Sequence, residues 1–476
     1  MKAAFLKVQY EDKDGHQLLD LCRRYTTQND ENAGKEAAIY LRTDGLKAPE
    51  SVALECLGLL LAQRPHSLSA TQDEIISGLV RQNVSVRQYF STQLQNSVTA
   101  FFDEIYDRGD GAAVCLDTVV LDPTVWTSEE TRSHCESELF QLFIAKLMES
   151  GHDLDGRSLK GITRLLAVHA VELEHLIDDE GLEVILTSLD NRLPLEVRSQ
   201  ATLATAKYLE VAKETGEKKL LTLIMSILGK GRVSDLIVAF SAVAAIFPVA
   251  PSAAANLFLS EEFMAFLLPM ASRDTKSKKV EVPVLELLNA ACINRPCREV
   301  VSKKFGEWLS HILTNGSDNC SELAAVALAK IRASEPEKPS TGNGKVLEQD
   351  SESELVHRFM GLMSEQKVEH NSHAIEGLAY TSVKPSVKDQ LANDPVFLRN
   401  FIAAMKQNTS DSSVLYGGLM VVLNLTKFLP NLSEEQKKMA QLKDYADPST
   451  GKVKAAPAID IRDEDEAVFA RCAAVI

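Results

Sequence analysis

A short helical segment recurs along this chain at a spacing that leaves little choice of architecture. It reads LATAKYLE at 203–210, VAAIFPVA at 243–250, LNAACINR at 288–295, LAKIRASE at 328–335, LAYTSVKP at 378–385 and LNLTKFLP at 423–430. Aligned on Leu203, Val243, Leu288, Leu328, Leu378 and Leu423, the steps are 40, 45, 40, 50 and 45 residues. Each step holds two or three helices, and a unit of that size buries its apolar face only by stacking on its neighbours. Period-two runs of β-branched residues, which a sheet would need, are almost absent. The spacing therefore predicts an all-α, right-handed helical solenoid of the armadillo/HEAT type.

The units read consistently inside. After LNAACINR, the segment 297–315 places Val300, Val301, Phe305, Trp308, Leu309 and Ile312 at helical spacing, and Asn315-Gly316 closes it. After LAYTSVKP, Pro395 suits the first turn of a helix over 395–407. Two stretches break the pattern. Residues 333–354 are rich in Pro, Gly and charge, and are expected to form a solvated loop; residues 443–466 are similar. Before residue 150 the helical periodicity continues but the repeat blurs. A soft boundary is expected at Leu193-Pro194, giving an N-terminal/central helical repeat domain over 1–193 and a clearer armadillo-repeat domain over 194–476. The last segment, DEDEAVFARCAAVI, begins an amphipathic helix and then stops. Its apolar strip of Val468, Phe469, Cys472 and Val475 either packs back on the body or marks an incomplete last repeat.

Charge narrows the partners. With 51 basic and 67 acidic side chains the net charge is −16, which repels nucleic-acid phosphates and anionic membranes. The eight cysteines form no CxxC pair and sit among apolar residues, as reduced thiols of a cytoplasmic protein do. The start, MKAAFLKVQYEDKDG, has no signal-type apolar core. Leu236–Leu259 runs without a charge for 24 residues, but Pro248 and Pro251 interrupt it, so two buried helices are expected and not a membrane span.

Catalytic and metal motifs fail on inspection. GNGK at 342–345 lacks the phosphate-loop spacing. DLDG at 153–156 would put Gly151 and Ile162 at the first and last positions of a calcium loop, where neither can ligate through its side chain. His169, Glu172 and His175 do not share a helix face, and His370 and His373 have no further ligand nearby. The run Ser133-His134-Cys135-Glu136 points its side chains in different directions. No enzyme activity, cofactor or metal is expected.

What a solenoid offers instead is a groove lined by one helix per repeat. An asparagine there can pair with a peptide backbone through both halves of its amide. One residue past the aligned anchors lie Asn289 and Asn424; three residues further lie Arg332, Ser382 and Lys427. Asn289, Arg332, Ser382, Asn424 and Lys427 are the candidate groove contacts. The same asparagines could equally bridge helices within the stack.

Several blocks go beyond generic repeats. HAIEGLAYTSVKPSVKDQLAND (373–394), VRSQATLATAKYLE (197–210), VPVLELLNAACINRPCREVVSK (282–303) and LYGGLMVVLNLTKFLP (415–430) resemble segments of the UCS family of myosin-directed chaperones. The resemblance covers roughly residues 155–476 and is strongest after 280. It points to the fungal branch, because the first 60 residues lack the 34-residue tetratricopeptide pattern of animal members. It implies an armadillo-like protein that binds an extended segment of the myosin motor domain, assists its folding or stability, and supports actin-based processes. Hsp90 is a partner of the family, and the missing tetratricopeptide pattern argues against direct docking. Family members continue beyond the point matching Ile476. A generic armadillo/HEAT adaptor is the alternative function.

Overall fold

The computed structural model describes residues 16–43, 48–64, 70–149, 152–271, 278–333, 344–364, 368–409, 411–428 and 465–475. Every regular element among them is helical, as the repeat spacing predicts. In chain order the helices are α1 (16–28), α2 (Glu31–Arg42), α3 (Glu50–Leu61), α4 (Thr71–Gln82), α5 (Val84–Asn96), α6 (Val98–Tyr106) and α7 (Asp110–Val120). Next come α8 (Glu129–Glu149), α9 (His152–Leu173), α10 (Asp179–Thr187), α11 (Leu195–Gly229), α12 (Val233–Ile246), α13 (Pro251–Leu259) and α14 (Glu261–Met270). The remainder are α15 (Glu281–Ala291), α16 (Arg295–Asn315), α17 (Asp318–Ala333), α18 (Gly344–Ser364), α19 (Val368–Thr381), α20 (Pro385–Ala392), α21 (Pro395–Gln407), α22 (Ser412–Thr426) and α23 (Asp465–Val475).

The chain divides into two compact units, Met1–Ala254 and Ala255–Ile476, with the division inside α13. The junction at Leu193-Pro194 lies between α10 and α11, within the first unit. In each unit one helix per repeat packs beside its counterpart in the next. These ladder helices are α2, α4, α7, α9 and the start of α11 in the first unit, and α15, α17, α19, α22 and α23 in the second. Leu203, Leu288, Leu328, Leu378 and Leu423 fall on ladder helices, whereas Val243, aligned with them in sequence, lies on α12 outside the ladder. α11 breaks at Lys213 (φ 46°, ψ −134°), which confines its ladder part to the first half.

Local chemistry explains the helix ends. Pro395 opens α21, as expected from sequence, and Asp394 caps it by accepting hydrogen bonds from the Val396 and Phe397 amides. Asn294 caps α16 through the Cys297 amide, and α16 stops at Asn315, as anticipated. Between layers, glycine lets an aromatic ring lie directly on a ladder helix. A Cβ on Gly161 of α9 would stand 2.6 Å from Cζ of Phe143 in α8, and Gly377 of α19 is covered in the same way by Phe359 of α18. Both rings are fully buried.

The apolar run 236–259 is two helices, α12 and α13, separated by a turn at 247–250. Among the described residues no single helix is long and apolar enough to cross a membrane. One correction concerns the expected loop at 333–354. Ala333 ends α17, residues 334–343 lie outside the described residues, and α18 already begins at Gly344. The charged stretch KVLEQDSESE contains good helix formers and is continuous with the buried positions Leu355, Val356 and Phe359, so it joins that helix. Residues 443–464 also lie outside the description. The final helix packs against α22 and α20, with Val468 fully buried and Cys472 half-buried, while Phe469 stays exposed beside Phe428. All eight cysteines are free thiols.

Candidate binding face

The ladder of the second unit is joined by polar side chains that reach from one ladder helix to the backbone of the next. Asn289 of α15 donates through Nδ2 to the Leu323 carbonyl of α17 at 2.9 Å. Lys330 of α17, with its side chain 3% exposed, returns a bond to the Asn289 carbonyl (3.0 Å) and pairs with Glu376 Oε1 of α19 (2.7 Å). The same ammonium sits 5.4 Å from the ring centroid of Tyr380, a cation–π contact made inside the protein. Asn424 of α22 donates to the Ala379 carbonyl (3.1 Å) and to Ser382 Oγ (3.0 Å). Arg471 of α23 donates to the Leu425 carbonyl of α22 (3.0 Å) and pairs with Asp389 at 2.7 Å.

The five sequence candidates therefore occupy different situations. Ser382 is fully buried and Asn289 nearly so; both side chains bond within the stack, and Asn289 Oδ1 has no hydrogen-bond partner among the described residues. Asn424 is half-buried with its amide nitrogen committed to α19. Arg332 is half-exposed near the end of α17, and Lys427 is exposed. Asn424 and Ser382 are brought together; Lys427 follows Asn424 at the end of α22, and Asn289 and Arg332 stand on α15 and α17. The two asparagines are not equivalent, since Asn289 reaches forward along the ladder and Asn424 reaches back.

Burial explains the mismatch. Asn371, Ala374, Ile375, Leu378 and Ser382 are buried on α19, and Val414, Gly417, Gly418, Val421 and Leu425 are buried on α22 at a constant offset of 43 residues. The step of 45 read from sequence slips by two and sets the exposed Leu423 against the fully buried Leu378. In the structural register Tyr380 matches Leu423, Glu376 matches Leu419, His373 matches Tyr416 and Lys384 matches Lys427. Both lysines have an extended backbone, Lys384 as the residue that opens α20 (φ −80°, ψ 134°) and Lys427 as the one that closes α22 (φ −75°, ψ 121°).

This register reveals a face that sequence reasoning missed. Tyr416, Leu419 and Leu423 of α22 are 69%, 60% and 48% exposed and lie at helical spacing on one side. Beside them on α19 stand Glu376 and Tyr380, both half-exposed and both held from below by Lys330. The signal was present in YGGLMVVLNLTKF, a helix with apolar residues on every side. Such a helix has more apolar surface than its own stack covers.

The first unit relies more on carboxylates and their ion pairs, with the Gln82 amide of α4 on the Leu41 carbonyl of α2 (2.8 Å). Asp73 of α4 accepts from the Gly111 and Ala112 amides at the start of α7 (2.9 and 2.5 Å). Asp110 of α7 pairs with Arg157 (2.9 Å) and Lys160 (3.2 Å) of α9, and Lys160 continues to Glu196 of α11 (2.7 Å). Deeper in α7, Asp117 is fully buried; neither of its carboxylate oxygens has a hydrogen-bond partner among the described residues, and Arg164 Nε lies 3.7 Å away. Burial pushes Asp117 up to about 7, with Arg164 opposing and Glu136 adding to the rise. His169, set aside as a ligand, marks a break in α9 (φ −125°, ψ 41°), where its Nδ1 lies 2.7 Å from Glu136 Oε1. Among the described residues no group of three or more His, Cys, Asp or Glu side chains could hold a metal ion.

Stacked helical repeats with one ladder helix per repeat define an armadillo-like helical solenoid. Residues 153–359 match the family model described as UNC45-central: myosin-binding striated muscle assembly central. Among solved structures, UNC-45 from Drosophila melanogaster superposes with a TM-score of 0.64 at 15% identity, covering 98% of this chain and 64% of that one. She4p gives 0.55 at 15% identity, covering 93% and 55%. The myosin chaperone UNC-45 from C. elegans, in complex with an Hsp90 peptide, gives 0.61 at 13% identity, covering 100% and 55%. At these identities the superpositions establish the fold, an armadillo-like helical solenoid. The chain spans between about half and two thirds of the length of these structures. No curated protein sequence matches it.

Proposed function

We propose that this chain is a non-enzymatic chaperone that binds the myosin motor domain in the cytoplasm and assists its folding or stability, so supporting actomyosin-dependent processes. The observation that carries the reading is the exposed strip Tyr416–Leu419–Leu423 on a ladder helix, in a chain whose residues 153–359 match a myosin-binding family. A partly folded motor exposes apolar segments, and a preformed apolar strip binds such a segment without first reorganising. Arg332 and Lys427 are the charged contacts in this reading. Asn289, Ser382 and Asn424 set the helix spacing beneath the face.

The test is whether the purified chain suppresses heat aggregation of a myosin motor domain and co-precipitates it, and whether Tyr416→Ala with Leu423→Ser removes both effects. Recovery of other proteins and no myosin would replace this reading with a general armadillo adaptor. Hsp90 is proposed as a second partner, tested by adding Hsp90 to the same co-precipitation.

A further inference from the structure

Two thiols meet in the core of the first unit. Cys22 of α1 and Cys56 of α3 are both free and fully buried. Hydrogen bonding to Cys56, and then burial, push the Cys22 thiol far above its ordinary range. In Cys115, Cys135, Cys292, Cys297 and Cys320 burial leads the rise instead. The sequence neighbours of the pair also meet, since Arg23 of α1 forms an ion pair with Glu55 of α3. Two successive residues of one helix thus touch two successive residues of the other. We propose that Cys22 and Cys56 are a modification site, which a hydroperoxide converts to a disulfide that staples α1 to α3.

The reaction balances with the peroxide as oxidant. The thiolate of one cysteine attacks a peroxide oxygen and breaks the O–O bond, giving a sulfenic acid and one water. The second sulfur attacks the sulfenyl sulfur, which forms the S–S bond and releases another water. The two thiols lose two protons and two electrons, and the peroxide takes up both. In the closed stack neither sulfur meets solvent, so the oxidant enters when α1 lifts from α3. The Arg23–Glu55 pair is solvent-exposed and adds little to closure; the buried Leu18, Leu21 and Tyr25 hold α1 down. The rate of oxidation therefore follows local opening, and the disulfide then prevents it. Cys56 follows Cys22 by 34 residues with all of α2 between them, so the cross-link restricts a long loop of the unfolded chain.

The experiment uses the full chain, purified under reductant and then exposed to excess hydrogen peroxide. Remaining thiols are alkylated and the digest is read by mass spectrometry. A linked Cys22–Cys56 peptide is expected, two hydrogens lighter than its two parts and reversed by dithiothreitol. Mild urea should speed its appearance several-fold by promoting opening. The oxidised chain should melt roughly 5 °C above the reduced chain in circular dichroism. Cys22→Ser and Cys56→Ser should each remove the link and the shift, while Cys472→Ser keeps both. The oxidised and reduced wild-type chains decide the matter where a serine variant does not fold. Oxidation of other cysteines with Cys22 and Cys56 recovered unlinked, in urea as in buffer, overturns the proposal. So does sulfinic acid at either position without a link, or a link that leaves melting unchanged.

Discussion

The two units join their ladder helices by different chemistry, and the difference governs what each leaves exposed. In the first unit most joints carry formal charge: Asp73 on the α7 amides, Arg157 and Lys160 on Asp110, and Lys160 on Glu196, beside the Gln82 amide of α4 on the Leu41 carbonyl of α2. In the second unit they are two asparagines, one buried lysine and one arginine. Long charged side chains cover the surface of the helices they join. Amides reach only the adjacent backbone, so the outward positions of α22 are left to Tyr416, Leu419 and Leu423. The second ladder thus leaves an apolar strip on α22, while the exposed apolar side chains of the first, Ile39 on α2 and Val168 and Val171 on α9, stand beside charged joints.

The largest expected effect lies at the weakest charged joint. Asp117 is buried without hydrogen bonds, and its carboxyl is raised to about 7. The unfolded chain ionises it near the ordinary carboxylate value, while the folded chain holds the proton until about 7. Between those limits the unfolded state binds fewer protons, so stability falls as pH rises from about 4 to about 7, and above 7 the loss is complete. The loss amounts to about 4 kcal/mol at 1.36 kcal/mol per unit. Asp117→Asn should therefore raise the melting temperature at pH 8 and change it little at pH 4. A variant that loses stability at pH 8 would show that the Asp117–Arg164 pair holds α7 to α9, and the contrast between units would then rest on strength as well as type.

Next comes Lys330, a buried cation of the second ladder. Lys330→Ala removes bonds to Asn289 and Glu376 and the support under Tyr380, and should cost roughly 2–4 kcal/mol in denaturant unfolding. Lys160→Ala in the first unit, where the pairs are solvated, should cost about 1 kcal/mol or less. Equal costs would erase the distinction between the two ladders.

How much of this was legible in sequence follows from the same physics. The fold was readable because ladder helices repeat their apolar positions, and Leu288, Leu328 and Leu378 are all buried where the spacing sets them. The site was harder. Asn424 was aligned in a register two residues off, because LNLTKFLP opens with the same Leu-Asn as LNAACINR while its Leu423 faces outward. Exposed Leu and buried Leu are the same letter; only packing against α19 distinguishes them. Tyr416 and Leu419 were hidden for the same reason, among apolar residues that read as core. The expected loop over 344–354 failed on composition, since Glu, Gln and Lys favour solvent and helix alike.

Asn424→Ala separates joint from face. Its amide spans α22 to α19, so the variant should lower stability by about 1 kcal/mol and leave the Ala379 carbonyl unpaired. Binding of a motor domain should change less than it does in Tyr416→Ala. A variant of unchanged stability and lost binding would instead make Asn424 a direct contact, as the aligned sequence alone suggested.

The smallest effect is expected at the edge of the strip. Lys427 is exposed and reaches no described acid within salt-bridge distance, so Lys427→Gln should leave the melting temperature almost unchanged. Its contribution to binding is a solvent-exposed attraction, which costs two- to fivefold in affinity at most, at roughly 1 kcal/mol or less per pair. Screening then gives the decisive reading. Across added salt the wild-type affinity should fall and the variant affinity should fall less, until the two converge at high salt. The apolar variant Leu423→Ser should behave oppositely, losing a constant factor at every salt concentration, because burial of a leucine does not depend on ionic strength. If both variants show the same salt dependence, the lysine acts through the end of α22 and not through the ligand. The bare strip alone would then account for recognition.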